Sequence, residues 1–206
     1  MGKVKRREQI LEEAARLFSF QRFDEVLMDD IAQSAGVAKG TLYTYFSDKE
    51  ELYFAVVFEG ISRLNQQVLE SASAQKDPEK QLRNIVYSIV SFVVQNGFFY
   101  KLLSIEDSKS GAGKSVNRER WREQRNIQLN AIESVLTAGR SEGVFHIRHP
   151  SVEAAILRDM VRSTVISAGA MLSVDEMVDV IMRIFLNGIC RPQSISAEAD
   201  SLELPL

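Results

Sequence analysis

The chain has 206 residues, 45% hydrophobic and 26% charged, with a formal net charge of −3 and a single cysteine. That is enough apolar material for a sizeable core in one domain or two small ones, and it excludes the disordered class. Lone Cys190 excludes an intrachain disulfide and, beside apolar Ile189, reads as packing; no apolar leader and no run near ~20 apolar residues is present, so a cytoplasmic protein is expected.

Along the chain, Lys3, Lys5, Arg6 and Arg7 open a short cationic arm able to track a phosphate backbone. Ile10, Leu11, Ala14, Leu17 and Phe18 then mark an amphipathic first helix. Residues 28 to 52, MDDIAQSAGVAKGTLYTYFSDKEEL, read as two short helices joined by a glycine turn. Ile31, Ala32 and Ala35 give the first a short apolar face, and Gly36 stands where it should stop. Leu42 and Phe46, four apart, form the inner stripe of the second helix, which leaves Thr41, Tyr43, Thr44 and Tyr45 mainly off that stripe. Hydroxyls hydrogen-bond phosphate oxygens and base edges, so this face suits a duplex groove. Ser47 through Glu50 reads as a capping box that opens a fourth helix. Residues 1 to 50 hold 8 basic and 9 acidic side chains, which is not a broadly basic surface.

AARLF in the first helix and DIAQSAGVAKGTLYTYFSDKEEL after it closely resemble the N-terminal domain of the TetR family of repressors. The resemblance covers about 50 of 206 residues. It implies that the second helix of the motif enters the major groove of operator DNA, so that Lys39, Gly40, Thr41, Tyr43, Thr44 and Tyr45 face the duplex. Lys49 would approach a phosphate from the start of the fourth helix, where the helix dipole also favours an anion. The family usually has a threonine or serine cap at positions 27 to 29, where this chain has Leu27, Met28 and Asp29. Asp29 beside a phosphate would be repulsive.

Beyond residue 50, helix follows helix, with no repeat and no alternating strand pattern. Asp77-Pro78 is a cap with a first-turn proline, followed by the buried stripe Leu82, Ile85, Val86, Ile89, Val90 and Val93. A short apolar helix is expected over Phe98–Ile105, a loop over Asp107–Ser115, and a long helix over Val116–Arg140 that ends in Gly139 and Gly143. Pro150 opens a helix to about Met171, and Ser173-x-x-Glu176 caps a last one through Ile189. The expected fold is therefore all-α with about nine helices: a DNA-binding domain over 1–47, an effector-binding and dimerisation domain over 48–191, and a flexible polar tail over 192–206.

The resemblance implies that the middle helices enclose a small-molecule pocket and that the last two pair with a second subunit's into a four-helix bundle. Phe92, Phe99, Tyr100, Trp121, Phe145 and Met160 are the candidate pocket residues for a small hydrophobic effector, and Ser163, Ser167, Ala168 and Ala170 permit close helix approach across a two-fold axis. No catalytic constellation, metal-ligand spacing or cofactor motif stands out. Residues 108 to 115 lack the first glycine and preceding strand of a phosphate-binding loop, and His146 with His149 lacks a carboxylate or cysteine neighbour in sequence. Arg118, Arg120, Arg122 and Arg125 around Trp121 read as the wet face of a long helix. The reading is a ligand-responsive dimeric repressor; the alternatives are a constitutive DNA-binding regulator and a helical interaction module.

Overall fold

The computed structural model describes residues 2–74, 76–108, 116–168 and 171–189, with the side chains of 2, 3, 107, 108, 116, 118, 188 and 189 left aside. Nine helices make up these residues: α1 (Gly2–Phe20), α2 (Met28–Ser34), α3 (Lys39–Tyr45), α4 (Lys49–Ser73), α5 (Pro78–Gln95), α6 (Gly97–Ser108), α7 (Val116–Ser141), α8 (Pro150–Ala168) and α9 (Val174–Ile189). Among the described residues no strand occurs. The all-α expectation holds, as does the helix order. Cys190 and the tail over 192–206 lie outside the described residues, and so do 109–115 of the expected loop.

Helix α4 is the shared element. Its buried residues Leu52, Val56, Val57, Ile61, Leu64 and Val68 recur at helical spacing. They let it pack against α1, α5, α6 and α7. One of these contacts, and a second at the end of α7, needs a glycine beneath a flat ring. A Cβ on Gly60 of α4 would stand 2.9 Å from the Phe99 ring of α6, and one on Gly139 of α7 would collide with the Phe145 ring.

The helix ends follow the sequence signals, with one change of register. Asp77 accepts hydrogen bonds from the Glu79 and Lys80 amides at 2.9 and 3.0 Å with Pro78 next to it, and Ser173 with Glu176 closes the expected box. The box at α4 is set one residue later than Ser47–Glu50. Asp48 is the N-cap and accepts from the Glu51 amide at 2.8 Å, while the Glu51 carboxylate reaches back to the Ser47 amide and hydroxyl at 2.7 and 2.6 Å. Serine and aspartate cap about equally well, and it is at Asp48 that the extended backbone gives way to the helix. Helix α8 is described as far as Ala168, and Gly169 and Ala170 lie outside the described residues.

No single described helix is long and apolar enough to cross a membrane. Helices α5 and α6 reach that composition only together, and they meet at 105° with the α5 stripe buried in the core.

Hydrogen bonds to the Ser47 hydroxyl and amide hold the Glu51 carboxyl below its ordinary value of 4.5. A carboxyl depressed in the fold stabilises above its ordinary value, and that contribution is lost as the pH falls through the folded value. We therefore expect Glu51→Gln to melt lower than the parent near neutrality and to lose less of its melting temperature between about pH 6 and pH 3. Gly36 has φ +60°, so Gly36→Ala should cost about 1–2 kcal/mol in thermal or denaturant unfolding.

Candidate nucleic-acid interface and inner cavity

Helices α2 and α3 are joined as the glycine turn suggested. The Gly36 amide donates to the Gln33 carbonyl and the Val37 amide to the Ala32 carbonyl, which reverses the chain in a few residues. Leu42 is fully buried and Phe46 nearly so, fixing which face of α3 points inward. The opposite face presents Lys39, Gly40, Tyr43 and Thr44, with Tyr43 44% exposed and open space where a Gly40 Cβ would lie. Thr41 and Tyr45 stand at its edges, half-buried, with the Tyr45 ring tilted against Phe46. The Thr44 hydroxyl donates to the Thr41 carbonyl at 2.6 Å, so toward solvent it offers acceptor lone pairs and a methyl group.

Charges on this surface are already spoken for within the domain. The Lys39 ammonium lies 2.8 Å from the Asp29 carboxylate, and this hydrogen bond and charge raise the lysine above its ordinary value. Asp29 thus faces a cation on the next helix rather than standing alone. Lys49 does not reach outward. Its ammonium donates to the backbone carbonyls of Phe23 and Val26 at 2.8 and 3.0 Å and sits 4.5 Å from the Phe23 ring centroid. Turn carbonyls left over by α1 make a better site for this lysine than open water. The cationic arm is the first turns of α1 rather than a loose strand, with Arg7 drawn to Glu59 at 3.4 Å and over the Phe46 ring. Lys5 and Arg6 remain exposed.

Two further contacts fix the head. The Glu13 carboxylate accepts from the Ser34 hydroxyl at 2.6 Å and from Arg16 at 2.9 Å, tying α1 to the end of α2. Tyr53 of α4 meets the Phe18 and Phe23 rings edge-on, while its hydroxyl donates to Glu106 of α6 at 2.6 Å. Burial, then Glu106, push the Tyr53 phenol well above its ordinary range, so it remains a donor. Phe20 at the end of α1 meets Phe98 of α6 at 5.5 Å. The head therefore touches α6 as well as α4.

Inside the helical core lies a cavity of about 20 Å³, room for about one water. Leu64, Ile89, Leu103 and Val161 supply its apolar wall, and Gln128, Arg125, Arg158 and Arg162 its polar side. Gln128, 1% exposed, donates to the Asn65 side-chain oxygen Oδ1 at 2.9 Å and accepts from Arg125. The six aromatic and methionine candidates do not gather here. Tyr100 lines the cavity; Phe99 lies on Gly60 under Arg63; Phe92 is buried in α5; Met160 is half-buried on α8. Phe145 packs on Gly139, which stands 18 residues along α7 from Trp121, or about 27 Å, so these two share no small cavity. Size and apolarity chose those candidates, but most such side chains simply fill core. The signal that marks the cavity was polar: Gln128 buried on α7 and arginines one turn apart on α8.

His146 lines a separate cleft of about 440 Å³ with Phe145, and among the described residues no group of three or more metal-ligating side chains occurs. Arg120 lies over the Phe58 ring and Arg125 over Trp121, so neither is simply solvated.

Two short helices crossing at a glycine turn, with an uncovered polar second helix, form a helix-turn-helix reading head of the kind found in transcriptional regulators. Residues 10–56 match the family described as bacterial regulatory proteins, tetR family. The transcriptional activator FasR of Mycolicibacterium smegmatis is 33% identical over 102 residues, spanning 50% of this chain and 47% of that protein. The transcriptional repressor NicS of Pseudomonas putida is 28% identical over 141 residues, 68% of this chain and 65% of that one. The chain thus spans about half to two thirds of these relatives. The solved structure of AibR in complex with isovaleryl coenzyme A and operator DNA superposes with a TM-score of 0.72 at 21% identity, covering 87% of this chain and 97% of that one, a likeness of fold. Residues 10–56 thus belong to the TetR family of transcriptional regulators, and the chain as a whole has a TetR-like fold.

Asp29→Asn should free Lys39 for a phosphate, tightening binding to a selected DNA site several-fold and steepening its salt dependence by about one charge. Lys49→Ala should instead lower the melting temperature, leaving the salt slope unchanged, because its charge is spent on the carbonyls of the turn after α1.

Proposed function

We propose that the chain is a homodimeric, effector-responsive repressor that occludes a near-palindromic operator. The observation that carries this reading is the uncovered α3 face, where Tyr43 stands exposed beside Gly40 and Thr44 while Leu42 and Phe46 are locked inside. Two such faces about 34 Å apart would read successive turns of one side of the duplex. Lys39, Thr41 and Tyr45 border that face and Lys49 positions it from behind. Pairing through the last helices is supported by exposed Val152, Ile156 and Ile166 on α8 and Ile184 on α9, apolar residues that a second copy would cover. An effector acting inside the core would bear on α4 and α6, both of which touch the head. A protein of like fold, solved with isovaleryl coenzyme A and operator DNA, provides the precedent for the kind of control proposed here.

The second reading, constitutive DNA binding, is favoured by the nearly closed inner cavity. A selection of operator sites from random DNA, followed by gel shift at fixed salt, tests both. Tyr43→Ala should weaken binding to the selected site by roughly tenfold or more while preserving the melting temperature and the dimer. Equal binding by parent and variant would remove the head from the mechanism. Operator affinity unmoved by any metabolite extract that stabilises the protein would leave the constitutive reading.

A further inference from the structure

The charge around the inner cavity is lopsided. Of the side chains that line it, Arg125, Arg158 and Arg162 are cationic and Asp159 alone is anionic. Asp159 is taken by its neighbour Arg158 at 3.1 Å and is itself exposed. Arg158 and Arg162 are four apart on α8, so their guanidinium groups leave the helix on one face. Arg125 approaches from α7, steadied by the Gln128 amide oxygen at 3.2 Å and by the Trp121 ring at 5.9 Å. Below this cationic rim the wall is apolar and buried, formed by Leu64, Ile89, Leu103 and Val161.

We infer that this cavity is the site of an amphiphilic anion, its carboxylate or phosphate head held by Arg125, Arg158 and Arg162 and its apolar chain inserted between α4, α5, α6 and α8. The assignment deepens the effector-responsive reading and rests on it. An amine head would meet the like charge of Arg162 at the rim, and an alcohol would offer a guanidinium only a single neutral oxygen. A planar guanidinium offers five donors and matches an oxyanion with two parallel hydrogen bonds, and two arginines one turn apart can share one head.

The cavity in its present form holds about one water, so an entering chain must displace a wall. Tyr100, Leu103 and Ser104 make α6 one of those walls. Outward movement of α6 would strain its contacts with the head, Phe98 against Phe20 and Glu106 against Tyr53. Occupancy and DNA affinity are then linked through one helix.

The full chain is titrated by calorimetry and thermal shift with straight-chain carboxylates from butanoate to decanoate, and with alkyl phosphates, alcohols and amines of matched length. Carboxylates or phosphates should bind, whichever class binds tighter identifying the head group, with alcohols and amines at least about tenfold weaker. Arg158→Gln and Arg162→Gln should each weaken the anion by roughly tenfold, and Arg162→Lys should recover part of the loss. Both positions are on the surface side of α8, and an unchanged circular dichroism spectrum establishes that the variants are folded. Equal binding of alcohol and acid, indifference to both substitutions, or no binding by either anion class overturns the assignment. Operator binding is followed in the same samples. Release by an alcohol would overturn the anion site and leave the effector-responsive reading standing, whereas anion binding without any change in operator affinity would uphold the site and overturn that reading.

Discussion

Everything in this molecule hangs on α4 being buried on several sides while its first turn remains part of the reading head. Its 25 residues span about 37 Å, and along that length it meets α1, α5, α6 and α7. The Asp48 cap and the Glu51 carboxylate close its N-terminus directly after Phe46, the last inward residue of the α3 region. Lys49 pins the same turn to the carbonyls of Phe23 and Val26. With no slack at the joint, the head follows the helix. A tilt of about 10° moves the far end of a rod that long by about 6 Å, ample to spoil the match of two heads to successive turns of DNA.

The electrostatics of the head show how a near-neutral domain can still carry a DNA-binding surface. Asp29 is a counter-ion for Lys39, and Lys49 is consumed internally, which leaves Lys5 and Arg6 as exposed cations on the α1 side. Phosphate attraction per head would then be modest, and in the proposed complex discrimination would fall to the hydroxyl-bearing face of α3, where contact depends on fit. A surface of this kind gains from being used twice, and the exposed apolar residues of α8 and α9 offer the means.

Local signals were the legible part of this fold. Glycine at φ +60°, proline after Asp77 and the reciprocal Ser173–Glu176 pair each act within four residues, so sequence displays both partners at once. The α4 cap slipped by one residue because Ser47 and Asp48 both qualify, and only the backbone turn after Phe46 decides between them. The surroundings of Lys49 were not legible for a different reason: its partners are main-chain carbonyls 23 to 26 residues away, invisible to any side-chain pattern. Apart from Tyr100 the aromatic set does not gather at the inner cavity, because ring size reports how much a residue buries, whereas a cavity forms where large and small surfaces mismatch.

Polar groups inside the core explain why the cavity sits where it does. Asn65 and Gln128 are almost wholly buried, and a buried amide costs free energy unless each donor and acceptor is met. Asn65 donates to the carbonyl and side-chain oxygens of Gln124 and accepts from Gln128, so α4 and α7 satisfy one another only in a single register. Leucines at those positions would bury as well but would let α7 slide along α4. The same register brings Arg125 to the Gln128 amide at the edge of the cavity. An anion at that edge would therefore be felt through Gln128 and Asn65 by α4 itself, beside the second path through α6. Two independent links from one small cavity to the helix that carries the head would give the proposed ligand purchase on DNA affinity without any contact to DNA.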